Sequence, residues 1–170
     1  MNSDFVTEPY SSKLQNQYSN KFDCGNSAIN SFLKNEQSLD PFFGKTYVLI
    51  SEESIVGYYN ISTGHIEDNT GIRLGGSIYL NYFALDKDYH KVKLDEEGYV
   101  SDFLLSDCFN RITHIQERYI GFSFITLSST SEGYNLYRRN GFEEMEEDMR
   151  IAKNDGEKTC IPMYLPIGLE

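Results

Sequence analysis

The sequence has no apolar run approaching the roughly 18 residues needed to span a bilayer, so none of it reads as a transmembrane helix. Its start, Met1-Asn-Ser-Asp-Phe-Val-Thr-Glu8, lacks the basic and apolar regions of a signal peptide, which favours a cytoplasmic chain. Cys24, Cys108 and Cys160 are odd in number, widely separated and without a CxxC pair. They fit a reduced protein and offer no metal site. His65, His90 and His114 have no Cys or carboxylate spacing that would complete a ligand set, and read as solvent or loop histidines. Internal repeats, low-complexity tracts and Pro/Gly-rich linkers are missing too, which leaves one domain over residues 1–170. Basic residues are scarce, 15 Lys and Arg against 26 Asp and Glu, for a net charge of −11. That balance argues against a broad nucleic-acid footprint, because phosphate binding needs clustered Lys and Arg. A local basic pocket remains compatible with it. Part of the excess is one run, Glu143 to Asp148, which reads as a solvated strand edge or turn.

What is present is a chain long enough for one sizeable core, with a generous 13 Tyr and 11 Phe to fill it. Asn26 is placed to cap a helix whose apolar face is Ala28, Ile29, Phe32 and Leu33. Residues 45–51 and 54–62 read as strands of an antiparallel hairpin turning at Glu52-Glu53. Residues 64–75 read as a loop, and 76–86 as a long aromatic-rich strand. After a polar loop from Lys87 to Gly98, the residues Val100, Phe103, Leu104, Cys108, Ile112, Ile115 and Tyr119 recur at helical spacing. A buried strand over 121–128, a short helix and a last strand over 159–165 follow. A strand–helix–strand unit after a hairpin implies a mixed sheet flanked by helices.

The short helix holds the densest signal, Ser131-Glu-Gly-Tyr-Asn-Leu-Tyr-Arg-Arg-Asn-Gly-Phe142. Ser129 is placed to cap it with Glu132 as reciprocal partner, Tyr134 and Leu136-Tyr137 supply an apolar stripe, and Asn140-Gly141 supplies a left-handed stop. On spacing alone Tyr137 reads as a packing tyrosine with a polar tip.

Four segments in order resemble the GCN5-related N-acetyltransferase superfamily, and within it the branch containing the acetyltransferase toxins of bacterial toxin–antitoxin pairs. Phe22-Asp-Cys-Gly-Asn26 with its helix is similar to the branch's "FDCG" opening. Tyr47-Val-Leu-Ile through Ile55-Val-Gly-Tyr-Tyr-Asn-Ile-Ser62 resembles its hairpin, Leu136-Tyr-Arg-Arg-Asn-Gly-Phe142 its "Y-x-x-x-GF" segment, and Pro162-Met-Tyr-Leu-Pro166 its closing strand. The resemblance spans about residues 10–166. It implies a single-domain α/β fold whose mixed, mostly antiparallel sheet splays into a V with helices on both sides.

The resemblance also implies a division of labour. Backbone groups of Phe83 and Leu85 would pair with the pantetheine arm of acetyl-CoA as an added strand. Gly98, Tyr99, Val100 and Ser101, at the next helix's N-terminus, would receive the pyrophosphate, with Thr130 as a further cofactor contact. Tyr137 would be the general acid, protonating the leaving thiolate as an amine attacks directly. The toxin-like branch acetylates aminoacyl-tRNA, but a net charge of −11 suits tRNA poorly, so the expected acceptor is a small-molecule amine, a peptide or a protein. A homodimer and an antitoxin-like partner are both compatible with the sequence.

One segment departs from the family. Where members carry [RQ]xxGx[GA], this chain has Asp95-Glu-Glu-Gly-Tyr-Val100, with acids facing an expected diphosphate and valine in a small-residue position. Two placements stay open: a degraded phosphate loop, or a bulged-out acidic insertion with His90-Lys-Val-Lys93 nearer the phosphates. Accordingly two functions stand side by side, an active N-acetyltransferase and a binding or regulatory module that kept the scaffold.

Overall fold

The computed structural model describes residues 6–96, 98–152 and 159–168. Along them lie β1 (Thr7–Pro9), α1 (Ser12–Tyr18), α2 (Ser27–Lys34), β2 (Lys45–Ser51), β3 (Ser54–Asp68) and β4 (Arg73–Leu85). Then come α3 (Val100–Arg118), β5 (Phe124–Ser129), α4 (Tyr134–Arg139), β6 (Glu143–Glu144), β7 (Met149–Ile151) and β8 (Ile161–Pro166). The strand order is β1-β2-β3-β4-β5-β8-β6, with β7 on β3. Strands β4 and β5 are parallel, while the pairs β1–β2, β2–β3, β3–β7, β5–β8 and β6–β8 are antiparallel. This is the mixed, mostly antiparallel sheet of the superfamily fold. The chain forms two compact units: one holds residues up to Ile61 with Tyr82–Cys108, the other Ser62–Asn81 with residues from Phe109 onward.

The first unit is built on aromatic packing. Phe22, Phe32, Leu33, Val48, Ile55, Tyr58 and Ala84 form its buried cluster. Phe32 stacks on Tyr82 at 4.0 Å, and Phe22 meets Tyr58 edge-on at 5.6 Å. Asn26 caps α2 as its sequence suggests, its side chain accepting the Ala28 and Ile29 amides. Only Phe32 and Leu33 of the expected stripe are buried; Ala28 is exposed, because the first turn of α2 runs past the packed face.

The Phe22-to-Asn26 segment works as a latch. Asp23 Oδ1 accepts the Gly25 amide and the Asn30 side-chain amide, both at 2.9 Å, and Asp23 Oδ2 takes the Lys87 ammonium at 2.8 Å. The Asp23 amide in turn donates to Asp86, and the Lys87 amide to the Asp23 carbonyl. The Lys87 ammonium, then the Gly25 amide and Asn30, hold the Asp23 carboxyl well below the usual carboxylate range. Charge-assisted bonds thus fasten the segment before α2 to the end of β4.

Each residue of Gly57-Tyr-Tyr-Asn60 has a structural task. A Cβ on Gly57 would lie 2.7 Å from the Ala84 carbonyl oxygen. The Tyr58 hydroxyl donates to the Ile29 carbonyl at 2.8 Å, and Tyr59 to Asp107 at 2.7 Å. Asn60, fully buried, donates to Thr46, which donates to the Ser38 carbonyl. Burial raises the Tyr58 phenol well above its ordinary pKa and Tyr10 to about 12, so both stay neutral hydrogen-bond donors.

The β2–β3 turn is strained. Glu52 and Glu53 have φ of 48° and 60°, the left-handed pair a two-residue hairpin needs, and neither is glycine. Left-handed L-residues cost about 1–2 kcal/mol each, so Glu52→Asn with Glu53→Gly is expected to stabilise the fold by about 1–2 kcal/mol. Thermal melts check this; an unchanged midpoint would show that the glutamates sit there without cost.

The second unit corrects several sequence expectations. Residues 64–75 are not a loop. β3 continues to Asp68, the chain turns through Asn69–Ile72, and β4 begins at Arg73. Asp68 Oδ1 accepts from the amides of Thr70 and Ile72 and from the Thr70 hydroxyl, while Gly71 supplies φ of 86°. The stretch looks loop-like because its polar residues are satisfied across strands: Ile66, fully buried, pairs with Ile151, and Glu67 bonds Arg150 at 2.7 Å. His65 therefore lies in a strand, 3.4 Å from Glu67. Tyr119 falls past the end of α3 and is 76% exposed, so it leaves the expected stripe. β5 starts at Phe124 rather than Gly121 and is buried at Ile125, Thr126 and Leu127. The last strand starts at Ile161; of the acidic run, Glu143–Glu144 forms an exposed edge strand.

Candidate functional site

β4 ends in the first unit, and its pairing with β3 fixes the direction of its last backbone groups. The Asp86 amide donates to the Val56 carbonyl of β3 at 2.8 Å. Across a trans peptide the N–H and C=O point in opposite directions, so the Leu85 carbonyl faces away from β3. Strand alternation turns the backbone groups of Phe83 the same way. Both residues predicted to pair with an acyl donor therefore present their backbone on the side opposite β3. In the second unit the β4–β5 ladder runs from Ser77↔Phe124 to Leu80↔Leu127, short of both residues.

The loop after β4 folds on itself. Residues 87–89 form a single 3-10 turn capped by the Asp86 side chain. Lys93 then bridges Tyr99, the Leu94 amide donates to the Gly98 carbonyl, and the Lys93 ammonium lies 5.5 Å from the Tyr99 ring centroid. Asp95 and Glu96 thus sit at the tip of a small hairpin, where Asp95 accepts the Gly98 amide at 3.1 Å. Glu97, the third acid of the run, lies outside the described residues.

At the entry to α3 the four expected phosphate contacts differ. Tyr99 is the residue from which the helix starts; its carbonyl accepts the Asp102 and Phe103 amides, and its amide meets Asp102 Oδ2 at 3.3 Å. The Val100 amide is committed to the Val92 carbonyl at 2.9 Å, and Val100 is 1% exposed. Valine here fills the core, so it does not crowd a ligand as its motif position suggested. A Cβ on Gly98 would come no closer than 3.9 Å to any neighbour, so its lack of a side chain is not forced by the protein itself. Ser101 is half-buried in the first turn and carries a hydroxyl there. Asp102 adds a negative charge to the same turn.

Tyr137 and Thr130 both flank Gly133 in the second unit. Ser129 does not cap α4: it ends β5, pairs with Ile161, and its hydroxyl donates to the Thr130 carbonyl at 2.8 Å. The helix starts instead from Gly133, whose amide donates to Thr130 Oγ1 at 3.3 Å. Glu132 is exposed and takes no capping role there. A Cβ on Gly133 would lie 3.0 Å from Tyr137 Cε2 and 3.6 Å from Thr130 Oγ1, so glycine lets the phenol ring lie against the turn. On its other side the ring meets Phe142 edge-on at 5.7 Å, and Phe142 meets Phe109. Gly141, with φ of 95°, makes the expected left-handed stop. Tyr137 is 8% exposed, its ring packed on two sides. Tyr134 leaves the stripe and donates to Glu144 at 2.6 Å. The packing of Gly133 against Tyr137 was passed over in the sequence; only its spacing of four residues before the tyrosine could have signalled it.

A cavity of about 510 Å³, lined by Phe22, Ile55, Asp86, Asp88, Tyr89 and Val92, lies in the first unit and includes none of the predicted site residues. Among the described residues no three of His, Cys, Asp or Glu gather as a metal ligand set, and no helix is long and apolar enough to cross a membrane.

No protein-family model and no curated protein sequence matches the chain. Solved structures do. A bacterial toxin superposes with a TM-score of 0.75 at 20% identity over 96% of this chain and 90% of the other. A mutant of the toxin AtaT, bound to the C-terminus of the antitoxin AtaR and acetyl-CoA, gives 0.71 at 18% identity over 96% and 94%. AtaT complexed with acetyl-methionyl-tRNAfMet gives 0.68 at 18% identity over 96% and 95%. At this level of identity the likeness establishes the fold.

Proposed function

We propose that this chain is an acetyl-CoA-dependent N-acetyltransferase of the toxin-like branch, moving an acetyl group to a primary amine with Tyr137 as general acid. The observation that carries this reading is the seat of Tyr137, a phenol fixed between Gly133 and Phe142 on the fold these toxins share. In the proposed reaction the amine nitrogen attacks the thioester carbonyl carbon and the C–S bond breaks. The departing sulfur takes the Tyr137 proton, and the nitrogen gives up one of its own, which returns the phenolate to phenol by way of solvent. Ordinary pKa values, Tyr about 10 and thiol about 8.5, put the phenol close enough to serve as a poised donor. The Leu85 N–H would polarise the thioester carbonyl, Phe83 and Leu85 would pair with the donor's amide arm, Gly98, Tyr99 and Ser101 would meet its phosphate end, and Thr130 would be a further cofactor contact. Cys24, Cys108 and Cys160, all free thiols, have no part in a direct transfer.

The acceptor is a small amine, a peptide or a protein, consistent with a net charge of −11. Aminoacyl-tRNA is the competing acceptor, because AtaT is solved with an acetylated methionyl-tRNA. Its α-amino group is also a primary amine, so assays of amines beside charged tRNA decide between them. A second reading, a module without catalysis, draws on Asp95, Glu96 and Asp102 near the helix entry, since like charges weaken diphosphate binding.

A thermal shift with acetyl-CoA separates the two. Ligand at a few times its dissociation constant adds about 1 kcal/mol, or roughly 2–4 °C for a chain of this size. Binding in the high-micromolar range is expected. No shift at millimolar acetyl-CoA would sink the enzyme reading.

A further inference from the structure

We propose that His90 competes for the acyl-donor edge of β4, occupying the Leu85 carbonyl and thereby limiting the chain's affinity for acetyl-CoA. The inference rests on the acetyltransferase reading and sharpens it. His90 Nε2 lies 2.9 Å from the Leu85 carbonyl oxygen. That oxygen can only accept, so Nε2 carries the proton in this contact. Because the Asp86 amide points to Val56 of β3, the same peptide's carbonyl points to the opposite side, the side a strand-like donor would occupy. The imidazole therefore stands where an amide N–H of a pantetheine arm would approach.

The surrounding chain is shaped to keep it there. The Asp86 side chain accepts the Asp88 amide at 3.0 Å, and the His90 amide donates to the Lys87 carbonyl, closing a turn that returns residue 90 to residue 85. The latch through Asp23 anchors Lys87 at 2.8 Å. Directly after the histidine, Lys91 takes φ of 60°, a left-handed conformation that a lysine adopts only under constraint, and the chain turns off toward its hairpin. An incoming donor must displace the ring or bind without the Leu85 carbonyl. The net value of one hydrogen bond corresponds to about three- to tenfold in affinity.

The test compares wild type, His90→Ala and His90→Gln by calorimetry with acetyl-CoA and by steady-state kinetics. Glutamine can place a side-chain N–H where Nε2 was, whereas alanine cannot. His90→Ala is expected to tighten the acetyl-CoA dissociation constant and lower its KM about three- to tenfold. His90→Gln should stay near wild type. Nitrogen-15 spectra of the ring should show the Nε2 proton lost from its hydrogen bond as acetyl-CoA is added. If wild type binds and His90→Ala binds equally or more weakly, His90 is no competitor and the acetyltransferase reading stands. A glutamine variant that tightens as much as alanine also overturns the proposal, because the hydrogen bond would not be the cause. If neither wild type nor variant binds at millimolar acetyl-CoA, the acetyltransferase reading fails and this inference with it.

Discussion

Tyr137→Phe is expected to lower acetyl-transfer turnover about 100- to 1000-fold, within the range of general acid–base contributions, while acetyl-CoA affinity changes less than about twofold. The substitution removes one oxygen. The ring keeps its contact with the turn at Gly133 and its edge-on meeting with Phe142. Loss of a proton donor used only in the transition state lowers kcat without a matching change in ground-state binding. Three other tyrosines are poor substitutes. Tyr10 and Tyr58 donate to the Leu33 and Ile29 carbonyls, and Tyr134 is held on Glu144, which raises its pKa. Single-turnover rates with a reactive amine, beside calorimetry for acetyl-CoA, make the measurement. Undiminished turnover would remove Tyr137 from the chemistry.

Gly57→Ala is expected to destabilise the protein by about 2–3 kcal/mol, the upper range for overpacking a filled core. A methyl there would stand 2.7 Å from the Ala84 carbonyl, 2.7 Å from Leu85 Cδ2 and 3.0 Å from Leu104 Cδ2. The first of these is backbone, so relief requires β4 itself to shift. For a chain of this size the change corresponds to a melting point lower by roughly 5–10 °C. The same shift moves the Leu85 edge, so acetyl-CoA affinity should fall with stability. Denaturant titration gives the free energy directly; a variant as stable as wild type would show that β4 yields at no cost.

These two residues were legible to different degrees. Tyr137 stood out only inside its motif, since a lone helix tyrosine is more often packing than chemistry. Gly57 lay in a quoted signature without a reason, and the reason is a carbonyl 27 residues away. The loop before α3 was half legible. Its acids and missing small residue were plain, yet nothing local showed that Lys93 would bridge Tyr99 or that Val100 would turn inward with its amide on Val92. Residues 64–75 misled for a similar reason, because polar residues on a paired strand look like those of a loop until Arg150 is placed beside Glu67.

The sequence by itself determined the elements whose signals are local: the Asn26 cap, the 45–51 strand and its two-residue turn, the start of α3, the glycine stop after α4 and the mixed α/β order. Side-chain capping, left-handed turns and apolar periodicity act within a few residues, so they can be read from neighbours alone. Only the tertiary structure decided which backbone groups are already spent. Whether the amide of Val100 or the carbonyl of Leu85 is available depends on partners brought back by the fold, Val92 across a small hairpin and His90 around a turn. Hydrogen-bond satisfaction depends on where every donor and acceptor lies in space, and for this site it sets how much of β4 a ligand can use.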